Sequence, residues 1–111
     1  MDVEARFFKA LSDPTRLRIA AILASEGEVC VCRLAGALAV RDFRISRHLA
    51  VLRAAGIVAA RREGTWVYYK LAAPRSALER SLYAAFRRHL GGHPVVRADI
   101  QRLRLAGCTA G

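Results

Sequence analysis

From Cys32 to Leu71 the chain reads helix, turn, basic helix, and then two β-prone runs about a glycine turn. Few orders of elements narrow the fold of so short a chain as far. Residues 32–38 have helical spacing, and Ala39-Val40-Arg41-Asp42 forms a turn. A second helix runs from about Phe43 to Ala55 and stops at Gly56, a residue suited to the left-handed position after a helix. Ile45, Leu49 and Leu52 form its buried stripe, which leaves Arg44, Ser46, Arg47, His48 and Arg53 nearer the solvent. Residues 58–62 and the β-branched, aromatic run 65–71 flank Glu63-Gly64, the pattern of a hairpin. The order predicts a mainly α fold with a β-hairpin wing, that is, a winged helix-turn-helix.

The flanks are helical too. Residues 2–11 place Val3, Phe7, Phe8 and Leu11 on one stripe. Asp13-Pro14 predicts a helix start, with Asp13 as N-cap and Pro14 at the first helical position, running to about Ala24. Ser25-Glu26-Gly27-Glu28 is a break. Pro74 predicts the start of a helix over 75–90, and Gly91-Gly92-His93-Pro94 ends it. Residues 95–105 form a last short helix before a loose tail with Cys108. The expected division is residues 1–94 for DNA binding and dimerisation, and 95–111 for the C-terminal helix and tail.

A chain of 111 residues has room for one hydrophobic core. The formal net charge of +10 calls for a polyanionic partner, nucleic acid or an anionic surface. Nearly all of that charge is arginine, the side chain that grips phosphate and guanine with two parallel hydrogen bonds. No apolar run approaches the roughly 20 residues that cross a bilayer. The first residues, with Asp2, Glu4 and Arg6, lack an apolar signal core, so the expected location is cytoplasmic and no membrane partner is expected. Three cysteines cannot all pair. In a reducing compartment they are thiols available to a soft metal or to redox chemistry.

A helix entering the major groove presents short or forked donors from its N-terminal half. Arg44, Ser46, Arg47 and His48 meet that demand, and Arg41 in the turn is placed to reach a phosphate or base edge. Arg61 and Arg62 on the wing are placed for phosphate or minor-groove contact, which sets register rather than sequence. The expected partner is therefore double-stranded DNA.

The runs Asp13-Pro14-Thr15-Arg16-Leu17-Arg18-Ile19, Glu28-Val29-Cys30-Val31-Cys32-Arg33-Leu34 and Ile45-Ser46-Arg47-His48-Leu49 resemble the arsenic-responsive repressors of the ArsR/SmtB family. So does the wing ending Gly64-Thr65-Trp66-Val67-Tyr68-Tyr69. The resemblance covers about residues 5–90. It implies a dimeric winged-helix repressor that binds operator DNA without ligand and dissociates on binding As(III) or Sb(III), with no permanent cofactor. It also implies a homodimer interface from the first helix and the helix after the wing, here Phe7, Leu78, Leu82 and Phe86. Three positions depart from the family pattern. Arg33 replaces an acidic residue, Ala35 stands where the best-known arsenic sensors carry a third cysteine, and Asp42 replaces a glutamine. The second bears on the ligand set, the third on the operator sequence.

Within a regular helix, residues i and i+2 point about 200° apart. Cys30 and Cys32 therefore share an ion only if Cys30 precedes the helix or the first turn unwinds. Trivalent arsenic favours three soft donors, and Cys108 is the one other cysteine in the chain. The metal-site expectation is thus Cys30, Cys32 and Cys108. His89, His93 and Glu79 make a poor zinc set, since Gly91-Gly92 breaks the helix between the histidines. Two other readings stay open. One is a thiol redox or persulfide sensor of the same fold, and the other a ligand-independent DNA-compacting protein. An enzyme is not expected, because no glycine-rich anion-cradling loop lies near Cys30.

Overall fold

The computed structural model describes residues 1–106. Six α-helices and a three-stranded antiparallel sheet follow in the order α1 (Asp2–Leu11), α2 (Pro14–Glu26), β1 (Val29–Cys30), α3 (Val31–Leu38), α4 (Asp42–Ala54), β2 (Val58–Glu63), β3 (Trp66–Leu71), α5 (Ala77–Ala85) and α6 (Pro94–Leu105). A π-helical turn over Phe86–Leu90 extends α5. No helix among the described residues is long and apolar enough to cross a membrane.

The start of α2 is capped as the sequence predicts. Asp13 Oδ1 accepts from the amides of Thr15 (2.8 Å) and Arg16 (3.1 Å), two donors the first turn leaves unpaired. Burial alone would raise the Asp13 carboxyl, but those hydrogen bonds and the charges of Arg16 and His48 bring it below the usual carboxylate range. Asp13→Ala is expected to cost about 1 kcal/mol, read as a lower urea midpoint.

α3 ends on Ala39, whose φ of +55° is left-handed, and the amide of Val40 closes back on the Ala35 carbonyl at 3.1 Å. That tight reversal sets α4 across α3. Ile45, Leu49 and Leu52, the stripe read from the sequence, are fully buried against Ile19, Ile22 and Leu34. Each such side chain contributes roughly 1.5–3 kcal/mol on burial.

The hairpin forms as expected, with Val58 opposite Leu71, Glu63 opposite Trp66 and Gly64 at φ +62° in the turn. The sheet has one more strand than the sequence predicts. β1 pairs with β3, Val29 opposite Tyr69 and Cys30 opposite Tyr68, so the strand order is β1-β3-β2. α5 starts later than Pro74 predicts, because Ser76 is the N-cap and accepts from the amide of Glu79 at 3.2 Å.

α6 packs into the same core, burying Val96, Asp99, Ile100 and Leu103. Asp99 is fully buried and takes a bidentate pair from Arg18 (2.9 and 2.7 Å) plus Arg102 at 2.6 Å. Arg102 also donates to the Ala37 carbonyl (2.7 Å) and Arg33 to the Leu103 carbonyl (3.0 Å). α6 is therefore tied across both α2 and α3. Arg33, where relatives were expected to carry an acid, serves that tie.

Candidate thiol site and nucleic-acid interface

Cys30 sits in the extended region (φ −80°, ψ 155°) as the N-cap residue of α3, while Cys32 lies in the first helical turn. Of the two arrangements the spacing allows, the chain takes the first: Cys30 precedes the helix. Pairing of β1 with Tyr68 and Tyr69 holds it extended. As a result the two Sγ atoms stand 3.5 Å apart instead of on opposite faces. No unwinding of α3 is needed to bring them together. Ala35, which stands where the best-known arsenic sensors carry a third cysteine, is 5% exposed and belongs to the core.

The pair opens onto a cavity of about 280 Å³ lined by Cys30, Val31, Cys32, Asp42, Ser46, Thr65, Trp66 and Val67. Three elements meet there: the start of α3, the N-terminal turns of α4 and the tip of the wing. Sequence reasoning took Thr65, Trp66 and Val67 only as wing strand and tied Asp42 to operator choice. A signal for Asp42 existed, since Asp42 and Ser46 are four apart and share a face of α4. Nothing local marks Trp66. Cys108 lies outside the described residues, and among those no group of three or more His, Cys, Asp or Glu is placed to hold a metal ion.

Arg41, Arg44, Ser46 and Arg47 come together as an exposed strip at the start of α4. Phe43 is exposed beside them, with the Arg47 guanidinium 5.7 Å from its ring centroid. His48 does not join the strip. Its side chain is 19% exposed and turns toward the start of α2, with Nδ1 3.3 Å from Arg16 Nη1. The same Nδ1 lies 4.0 Å from Asp13 Oδ1.

The two wing arginines differ. Arg62 is exposed, and its side chain makes no hydrogen bond or ion pair among the described residues. Arg61 grips Glu28 at 2.7 Å, reaches Glu63 at 2.9 Å and lies 4.6 Å from the Tyr68 ring centroid. Its hydrogen bonds hold the Glu28 carboxyl below the usual range, and the two carboxylates raise Arg61 in return. Arg61 thus ties the wing to the residue just before β1. Arg62→Ala is expected to flatten the salt dependence of DNA binding by about one unit of slope, and Arg61→Ala by less, in a titration over several salt concentrations.

Of the residues expected at a dimer interface, Phe7 lies inside its own chain, 1% exposed and 6.1 Å from the Tyr83 ring. Leu82 and Phe86 are half-buried against the core. The apolar surface on this side is Leu78 together with Val3 and Phe8 of α1, each between 44% and 50% exposed. The stripe drawn through α1 was right in register, but its inner half packs within the chain.

Residues 13–60 match the profile of the family described as bacterial regulatory protein, arsR family. The chain is 56% identical over 64 residues to an arsenic resistance transcriptional regulator of Pseudomonas putida, covering 58% of this chain and 50% of that protein. It is 48% identical over 66 residues to the arsenical resistance operon repressor of Escherichia coli, covering 60% and 56%. The chain thus spans about half the length of these curated relatives. Among solved structures it is similar to a homodimeric winged helix-turn-helix DNA-binding domain from Mycobacterium bovis, a possible ArsR-family transcriptional regulator. That likeness has a TM-score of 0.66 at 37% identity over 84% of this chain and 86% of the other.

Proposed function

Because the chain belongs to the arsR family of bacterial regulatory proteins, we propose that it is a metalloid-responsive transcriptional repressor. It binds operator DNA as a homodimer and lets go when As(III) or Sb(III) is taken up by its cysteine thiolates. One observation carries the reading: Cys30 and Cys32 hold their sulfurs 3.5 Å apart on the wall of a cavity whose other walls belong to α4 and the wing. Arg41, Arg44, Ser46 and Arg47 enter the major groove, and Arg62 meets the flanking backbone. Subunits pair through the apolar side of α1 and α5. The expected location is the cytoplasm, with DNA as the partner and no catalytic role.

Cys108, the third ligand expected from the sequence, supplies the third sulfur. Three As–O bonds break and three As–S bonds form. The thiol protons leave with the hydroxides as three waters, and arsenic stays trivalent.

Release follows from the shared cavity. Groove reading needs a fixed spacing between α4 and the wing, and an occupant at the thiols wedges Asp42 and Ser46 from Trp66. It also pulls on Cys30, whose backbone is laddered to Tyr68. The ligand shifts the equilibrium only as far as it prefers the released state. Linkage then requires operator DNA to weaken arsenite binding by the same factor by which arsenite weakens DNA binding, testable by titrating both ways.

The deciding experiment is fluorescence anisotropy of the reduced protein on operator and scrambled duplexes, with arsenite, peroxide or polysulfide added. Release from the operator by arsenite is the expected result. Release by the oxidants alone would make the thiols a redox or persulfide sensor. Equal binding to both duplexes with no response would make the chain a DNA-compacting protein.

A further inference from the structure

Resting on the repressor reading above, we propose that Asp42 selects a cytosine in each operator half-site by accepting a hydrogen bond from its N4 amino group. Asp42 is the first residue of α4, and it is exposed. It shares a helix face with Ser46, one turn on, and stands among the exposed Arg41, Arg44 and Arg47. Even so, its carboxylate makes no hydrogen bond or ion pair among the described residues. The spacing explains this. A helical side chain meets those three and four positions on, here Ile45 and Ser46, and neither is a cation. The Arg47 guanidinium instead lies over the Phe43 ring, 5.7 Å from its centroid.

An open carboxylate on the surface that meets DNA has an energetic consequence. Phosphates repel it, so it lowers affinity for DNA in general. That loss is recovered only where a base edge offers a donor. In the major groove guanine presents N7 and O6, and thymine O4, all of them acceptors. Adenine has its N6 amino group, but N7 stands beside it. Cytosine alone presents a donor, N4, with no acceptor next to it on the same base. The carboxylate therefore accepts one base and opposes three. The arginines around it do the converse, donating to guanine or to phosphate. Asp42 thus sharpens sequence choice mainly by weakening the wrong complexes.

The test is selection from a randomised duplex pool by the full reduced chain, as wild type, Asp42→Asn and Asp42→Ala, followed by anisotropy on the wild-type selected duplex. Wild type is expected to enrich one cytosine per half-site that depends on Asp42. At that position Asp42→Asn should prefer adenine, which an amide reads through N6 and N7, and Asp42→Ala should show no preference. Asp42→Ala should also bind a scrambled duplex about threefold tighter than wild type does. Replacing the selected cytosine by N4-methylcytosine keeps the base-pairing hydrogen and puts a methyl group where the groove-facing one was. That change should weaken wild type about tenfold and Asp42→Ala by less than about twofold.

The same selected motif in all three proteins overturns the proposal and leaves the repressor reading standing. So does a uniform loss of affinity for every duplex in Asp42→Ala, which is all that support of the helix start would give. Equal weakening of wild type and Asp42→Ala by the methylated base overturns it as well. If wild type enriches no sequence at all, the proposal and the repressor reading fall together.

Discussion

A chain carrying Cys30→Ser and Cys32→Ser is expected to hold operator DNA within about threefold of wild type and to keep holding it when arsenite is added. Affinity persists because the substitutions leave Arg41, Arg44 and Arg47 of the exposed strip in place. Serine also fits both sites, one in a β-ladder and one in a first helical turn. The response vanishes because a hydroxyl is a poor ligand for a soft metalloid. Either single substitution breaks the pair and leaves arsenic one linked sulfur fewer. Linked donors gain about a hundredfold or more over separate ones, so each single variant should need at least that much more arsenite for release. A double variant that still releases normally would move the site elsewhere.

The second large effect is on stability. Asp99→Ala is expected to destabilise the fold by about 3 kcal/mol, measured by urea denaturation. Asp99 is fully buried and holds two arginines at once, so its loss strands both guanidiniums beside apolar neighbours. The value falls at the low end for a broken buried pair because Arg18 and Arg102 keep 27% and 49% of their side-chain exposure and can turn toward water. Asp99→Asn, which keeps the shape and one acceptor, should cost less.

The sequence makes the local features legible. Asp13-Pro14 specified a helix start, Gly64 a hairpin turn, and Ile45, Leu49 and Leu52 a buried stripe. Each of these is settled by residues within one or two turns of itself. Spacing likewise reduced the cysteine pair to two geometries, and the structure holds one of them. What stayed hidden depends on partners far along the chain. β1 is two residues long, too short for any periodicity, and exists because Tyr68 and Tyr69 pair with it. Asp99 reads as one more polar residue of an amphipathic helix until Arg18, 81 positions away, folds onto it. Arg61 and Arg62 look alike in sequence, and only the position of Glu28 separates the tethered one from the exposed one. Phe7 was named for the subunit interface from the family resemblance, and its burial within its own chain beside Tyr83 depends on packing the sequence does not display. Trp66 was legible as strand and not as cavity wall, since the α4 turn that faces it lies some 20 residues earlier.

The claim on which the rest depends is that a trivalent metalloid bonds to Cys30 and Cys32 together. Arsenic-edge X-ray absorption on the reduced, arsenite-loaded chain tests it most directly, in wild type, Cys108→Ser and the double cysteine variant. The account predicts a shell of three sulfurs in wild type, two sulfurs and an oxygen in Cys108→Ser, and no protein-bound arsenic in the double variant. An oxygen shell in wild type, or a sulfur shell that survives loss of both Cys30 and Cys32, would contradict it.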